Sequence, residues 1–187
     1  MPRERTVTLS RQGGSGLIEV AIALLVLSIG TLGLAKLQIS ARRLGYEALQ
    51  RTEAVALAAD LFERMRANRA VLFAYTITGL GAATASPLPA PATRCDLDTC
   101  TALQLSAWDL WQWERGLNGA ATGDSAGGLV SPTGCVAVSG RRVTVDIVWQ
   151  GFREQQARTS DSVCGAGSSS SASSSQWLSM TSWIAES

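Results

Sequence analysis

Apolar residues are concentrated near the amino terminus, where an uncharged run, VAIALLVLSIGTLGLA, extends from Val20 to Ala35. With the apolar residues that flank it, this run reaches about the 20 residues that a helix needs to cross a bilayer core. Arginines outnumber acids in the leader that precedes it, and a basic leader favours an amino terminus in the cytoplasm. The pattern predicts a transmembrane helix over about 17–39. A cleaved secretory signal fits less well, because the run is long and helix-forming sequence follows it.

The pattern beyond this run is that of an amphipathic helix. Between 41 and 73 there is no proline and only one glycine, Gly45, and Ala, Leu, Arg and Glu are abundant. Apolar residues recur there at helical spacing, which predicts a buried stripe with charged residues opposite it. The stripe residues are Leu44, Ala48, Val55, Ala58, Phe62, Met65 and Leu72, and the opposite residues are Arg43, Glu47, Arg51, Asp60, Glu63 and Arg64.

The remaining sequence, 74–187, predicts a small α+β domain with short elements. Over 142–149, apolar residues alternate with polar ones, as they do in a half-buried strand. The composition of the glycine-, proline- and serine-rich stretches is typical of loops. The expected elements are a helix over 102–118, strands over 136–139, 142–149 and 177–184, and loops over 79–91, 118–131 and 165–175.

Composition and charge exclude several classes of function. The net charge is +1, which argues against a nucleic-acid binder that depends on overall basic charge. The chain contains no histidine, so it cannot build a Ser-His-Asp triad or a histidine-based metal site by itself. Many classes of enzyme are excluded in this way, although carboxylate and lysine chemistry are not. No constellation of catalytic residues is evident in the sequence, and we expect no catalytic residues, no cofactor, no metal and no enzymatic activity.

The four cysteines are too widely spaced for the usual paired metal motifs. Four cysteines allow three connectivities, and export from the cytosol would favour two disulfides over four thiols. We expect pairing of Cys95 with Cys100, which closes a short loop before the tryptophan-rich helix. The second expected pair, Cys135–Cys164, ties the first predicted strand to the serine-rich region.

An acidic residue, Glu19, lies inside the apolar segment, where an unpaired carboxylate is costly and therefore suggests function. It is the ninth residue of the sequence RQGGSGLIEV, 11–20, which resembles the class III signal of type IV prepilins and type II secretion pseudopilins. The resemblance implies leader cleavage between Gly14 and Ser15, amino-terminal methylation of Ser15, and a role for Glu19 in subunit assembly. The sequence departs from the family at Ser15 and Gly16, because the family usually has phenylalanine at the first mature position and threonine or serine at the second.

Three later segments, 54–69, 107–113 and 143–151, resemble the PilV family of type IV pilus minor pilins. The resemblance implies the pilin fold, in which a long amino-terminal helix packs on a carboxy-terminal antiparallel sheet. It also implies a minor pilin that primes the filament and lies at its tip with other minor pilins. Before assembly, such a protein spans the inner membrane once with its globular domain in the periplasm; afterwards it is part of the pilus on the cell surface.

The implied domain plan is a leader over 1–14, a transmembrane and filament-core helix over 15–40, an amphipathic helix over 41–73 and a periplasmic domain over 74–187. The implied partners are the prepilin peptidase, other minor pilins, the major pilin, the inner-membrane pilus assembly machinery, a tip adhesin and the membrane, without nucleic acid. Two alternatives remain open. A minor pseudopilin of a type II secretion system shares the amino-terminal signal, whereas a membrane-anchored periplasmic enzyme would need a nucleophile–base pair that the sequence does not offer.

Overall fold

The computed structural model describes residues 15–81, 87–119, 128–152, 164 and 174–185. The chain forms two compact units, Met1–Leu44 and Gly45–Ser187. The predicted leader and most of the loop predicted over 165–175 lie outside the described residues.

The first α-helix, α1, runs from Ser15 to Ala67, and its part in the first unit contains the apolar run. Every side chain over 16–44 is exposed. The hydroxyl of Ser28 donates to the carbonyl oxygen of Leu24 at 2.7 Å, and that of Thr31 donates to the carbonyl oxygen of Ser28 at 3.0 Å. These polar side chains are therefore satisfied within the helix, which is what a lipid environment requires of them.

The helix predicted over 41–73 ends earlier than expected, because α1 stops at Ala67 and a 3-10 helix, Arg69–Tyr75, follows. Asn68 lies buried between the two helices. Its side-chain amide donates to the Tyr75 hydroxyl at 3.1 Å and to a backbone carbonyl distant in sequence at 2.8 Å. These hydrogen bonds hold Asn68 at the point where the α-helix ends. Because one of their partners is distant in sequence, no local pattern predicts this end.

Among the described residues, four antiparallel strands form one sheet in the order β1-β2-β3-β4. A tight turn at Gly140, whose φ is 61°, joins β2 to β3. The strands are β1 Ile77–Leu80, β2 Thr133–Ser139, β3 Arg142–Gln150 and β4 Ser175–Trp183. The last three overlap the predicted strands, although β2 begins three residues and β4 two residues earlier than predicted. The long amino-terminal helix and the antiparallel sheet establish the predicted α+β, pilin-like fold.

β1 was not predicted from the sequence. The loop predicted over 79–91 overlaps the last two residues of this strand. Gly79 and Leu80 belong to β1, which pairs with β2 through an irregular register. A four-residue strand containing glycine carries almost no periodic signal. Its conformation is decided by the neighbouring strand that supplies its hydrogen bonds.

The second α-helix, α2, runs from Ala102 to Leu117, close to the range predicted from the sequence. A capping box begins it: the Thr101 hydroxyl accepts from the Gln104 backbone N–H, and the Gln104 side chain accepts from the Thr101 N–H. The helix packs closely on β2, because a Cβ added at Gly134 would lie 2.5 Å from the Trp113 ring. A glycine on the strand thus makes room for a tryptophan on the helix.

The core of the second unit is formed by α1, α2 and one face of the sheet. The prediction for α1 is correct at Ala58, Phe62 and Met65, which are buried. Leu72, in the 3-10 helix, is partly buried against the same core. The prediction is wrong at three other positions, because the packing of α2 and the sheet selects a face that an alanine-rich helix does not mark clearly. Leu44, Ala48 and Val55 are exposed, while Gln50, Ala54 and Leu61 are buried instead.

Candidate functional site

The acidic residue in the apolar helix, Glu19, is exposed on α1 in the first unit. None of the ion pairs among the described residues includes it. The next basic residue along the helix, Lys36, lies about 25 Å away at 1.5 Å per residue. No basic side chain of the described part of the chain therefore pairs with this carboxylate. The described helix begins at Ser15, the predicted first mature residue, and Gly14 lies outside the described part.

A polar network joins the second half of α1 to α2. The Arg64 guanidinium donates to Asp60 at 2.7 Å and to the buried Asp109 carboxylate at 3.1 Å. It also donates to the Gln112 side-chain oxygen at 2.6 Å. Burial alone lowers the pKa of Arg64, but the hydrogen bonds and charges of both aspartates outweigh it, and the net shift is upward. The network brings together 54–69 and 107–113, two of the three segments that resemble the PilV family.

The same carboxylate also holds the 3-10 helix. The Tyr75 hydroxyl donates to Asp109 at 2.6 Å and accepts from the Asn68 amide at 3.1 Å. Burial raises the pKa of Tyr75, and the hydrogen bond to Asp109 raises it further, so the phenol remains a proton donor. Asp109 thus joins α1, α2 and the 3-10 helix, a role that the sequence analysis did not assign to it.

A second buried acid on α2 closes a loop. Glu114 accepts from the Gly81 backbone N–H at 3.3 Å and from the Leu88 N–H at 2.7 Å. These two residues lie on either side of 82–86, which is outside the described part of the chain. The acid therefore binds the backbone both before and after this segment. In the sequence, these roles are indicated only by the presence of two acids in the tryptophan-rich helix. Their burial is seen only in the structure.

The four cysteines form two disulfides in the structure, Cys95–Cys100 and Cys135–Cys164. The first closes a short loop before α2, with Leu97 largely exposed at its tip. The second is buried on the face of the sheet opposite α1, where Val148 and Trp177 pack around it.

Among the surface pockets that the described residues form are two in the second unit. A pocket of about 560 Å³ has an almost entirely apolar lining from the 3-10 helix, β1, the proline-rich segment 87–92 and α2. Another, of about 510 Å³, combines Arg69 and Arg141 with the apolar residues Leu72, Phe73 and Ile184. Within the described ranges, acidic and cysteine side chains form no group of three that could hold a metal ion.

Comparison with known families gives one match. Residues 36–111 match a model of the Tt1218-like family, described as type IV pilin Tt1218. The match supports a type IV pilin. The matched segment contains Arg64, Asp109 and Tyr75, and the type IV pilin family is structural rather than enzymatic. No curated protein and no solved structure matches the chain significantly.

The family match and the apolar helix agree on the general role of the chain. One helix, within Gly16–Ala67, is long and apolar enough to cross a membrane. Together with the match, it fits a membrane-anchored pilin with a role in pilus assembly.

Proposed function

We propose that this protein is a minor pilin of a type IV pilus, related to the PilV family, which helps to prime the filament and lies at its tip with other minor pilins. The observation that carries the proposal is the exposed apolar part of α1, with Glu19 near its start. Before assembly the protein spans the inner membrane with its second unit in the periplasm.

The exposure of the apolar helix requires an environment other than water. Large apolar side chains such as Leu17, Leu25 and Leu32 are 82%, 60% and 71% exposed. Exposed apolar surface costs roughly 25 cal/mol per Å² relative to burial, so a helix of this length is strongly unfavourable in water. Lipid satisfies it before assembly, and the helices of neighbouring subunits satisfy it in the filament.

Two separate parts of the chain support the same role. The leader, Ser15 and Glu19 resemble a prepilin signal, and all of them precede residue 36. The family match begins at residue 36 and extends into α2, so it does not depend on the residues of that signal. The two observations are therefore independent, and both support a pilin.

The mechanism follows from the position of the carboxylate. Prepilin peptidase removes Met1–Gly14 and exposes a positively charged amine at Ser15, which can then be methylated. In a low-dielectric bundle an unpaired carboxylate costs several kcal/mol, so Glu19 binds this amine of its own chain or of a neighbour. Leaving the lipid then becomes favourable only in register with another subunit.

The test compares Glu19→Gln with Glu53→Gln. Glu53 lies exposed on α1 in the second unit. Glu47 is a poorer control, because one of its carboxylate oxygens is buried without a hydrogen-bond partner. We expect Glu19→Gln to leave membrane insertion and leader cleavage intact, and to lower the ratio of protein in sheared pili to protein in the membrane about tenfold. The control should leave this ratio unchanged.

Intact mass should show the loss of 1–14, with or without one methyl group. An unchanged ratio for Glu19→Gln, or a mature protein that retains its leader, would refute the mechanism. A minor pseudopilin of type II secretion remains the alternative, because it shares the amino-terminal signal. Deletion of the gene separates the two roles, since a pseudopilin would be needed for protein secretion and a minor pilin for piliation.

A further inference from the structure

The two edges of the sheet differ in how they are protected against pairing with another chain. β1, at one edge, has four residues, an irregular register and positive φ at Gly79. β4, at the other edge, has nine residues in continuous register with β3. Its sequence, SQWLSMTSW, contains no charge and no proline. Short, irregular edges resist pairing, whereas long, regular, uncharged edges invite it.

The backbone hydrogen bonds show which groups of β4 face outward. The Ile184 N–H donates to Arg141 O at 3.0 Å, and the Gly151 N–H donates to Ser174 O at 2.8 Å. Both bonds follow the register of β3 with β4, so the even-numbered residues of β4 bond to β3. The N–H and C=O groups of Ser179, Thr181 and Trp183 consequently point to the free edge. In the described part of the chain, no strand lies beyond β4.

Arginines flank the carboxy-terminal end of this edge on both faces of the sheet. On the α1 side, Arg66 donates to the Ser182 hydroxyl at 2.9 Å. On the opposite side, the Arg142 guanidinium lies 5.0 Å from the centre of the exposed Trp183 ring. Glu63, bonded to Arg66, is the one acid that pairs with either of these arginines among the described residues. The surroundings of the edge thus favour an incoming carboxylate.

We propose that the free edge of β4 binds an extended, acidic segment of a different subunit, which adds a fifth strand to the sheet. The outward groups of Ser179, Thr181 and Trp183 would supply main-chain hydrogen bonds, and the arginines would select a carboxylate beside Trp183. Leu178 and Met180, partly buried on the core face, would pack against alternate side chains of the incoming strand. A second copy of β4 offers no acid for this position, so a different subunit fits better. The inference rests on the proposed filament role.

Amide hydrogen exchange tests the added strand residue by residue. Full-length protein is compared in detergent and in sheared pili, by mass spectrometry with fragmentation that resolves single amides. In detergent, the amides of Ser179, Thr181 and Trp183 should exchange rapidly, while those of Met180 and Ser182 remain protected. In pili, the three outward amides should exchange at least a hundredfold more slowly.

Three other outcomes of the exchange experiment would each refute a different part of the proposal. Incorporation into pili with rapid exchange at the outward amides would refute the added strand and leave the filament role intact. Protection that appears already in detergent and grows with protein concentration would indicate self-pairing and refute a different subunit. Absence of the wild-type protein from pili would refute the proposed function itself, and this inference with it.

A backbone variant provides a second measurement. Thr181→Pro removes an outward N–H at an edge position, where proline is tolerated, whereas Thr181→Val keeps the N–H. We expect the proline variant to lower recovery in pili about tenfold with an unchanged thermal unfolding midpoint, and the valine variant to behave like wild type. Equal recovery of the two variants would refute the proposal.

A pair of arginine variants tests whether the edge of β4 prefers an acidic partner segment. Arg142→Gln should lower recovery in pili several-fold. Arg51→Gln is the control, because Arg51 is exposed and lies about 22 Å from Arg66 along α1. Equal recovery of these two variants would refute an acidic partner segment.

Discussion

The two units of this chain differ in whether their apolar side chains are buried. In the first unit every described side chain from Gly16 to Leu44 is exposed, although most are apolar. In the second unit, large apolar side chains are packed against one another, and the acids Asp109 and Glu114 are buried with hydrogen-bond partners. The second unit carries its own core, whereas the first has to find partners in lipid or in other subunits.

This difference separates two kinds of mutational effect. A change in the second unit should alter its free energy of unfolding. A change in the first unit should alter assembly and leave that free energy unchanged. All six tryptophans lie in the second unit, so tryptophan fluorescence reports its unfolding alone. The predictions below use this signal to test how independent the two units are.

The largest expected effect on stability is that of the buried disulfide. Replacing both Cys135 and Cys164 by alanine opens a loop with a sequence separation of 29, whereas the Cys95–Cys100 pair closes one of 5. Loop entropy predicts a loss of about 3.6 kcal/mol for the larger loop and about 2 kcal/mol for the smaller. Urea unfolding followed by tryptophan fluorescence measures both.

Non-reducing peptide mapping of the exported protein should recover the same two pairs. A Cys95–Cys135 peptide would refute this connectivity, and free thiols would contradict folding in an oxidising compartment. An equal loss of stability for both double variants would show that loop length does not govern the effect.

The next effect concerns the Tyr75 hydroxyl. Tyr75→Phe removes its hydrogen bond to the Asp109 carboxylate and should cost about 2 kcal/mol at pH 8. Because folding raises the pKa of Tyr75, the wild type keeps this contribution below the unfolded value of 10.0 and loses it as the pH rises through the folded value. The difference between wild type and variant should therefore be constant up to about pH 10 and shrink above it. A difference that grows above pH 10 would contradict the direction of the shift.

The smallest expected effect on stability is that of Gly33→Leu in the first unit. No atom lies within 4 Å of a Cβ placed at Gly33, so the urea midpoint of the second unit should not change. If helices of neighbouring subunits pack closely at this glycine, recovery in sheared pili should fall several-fold. Leu32→Met, which nearly conserves volume, is the control and should leave recovery unchanged. A shifted urea midpoint for Gly33→Leu would show that the two units are coupled.

Local patterns predicted the strongly periodic or strongly biased parts of the fold. The apolar run indicated α1, the alternation over 142–149 indicated β3, and the tryptophan-rich segment indicated α2. β1 was missed because its conformation depends on β2, and the end of α1 was misplaced because Asn68 bonds to groups distant in sequence. The proposed roles of Gly14, Ser15 and Glu19 remain predictions that the protein chemistry above will test.

The sequence by itself determined that one end of the chain is a helix suited to lipid, because length and hydrophobicity decide membrane insertion without any tertiary contact. It also determined the alternation that forms the central strands. Only the tertiary structure decided which face of α1 is buried, and that Arg64, Tyr75 and Asp109 meet. Such contacts join residues far apart in the chain, and their partners are selected by the packing of the whole domain rather than by neighbouring sequence.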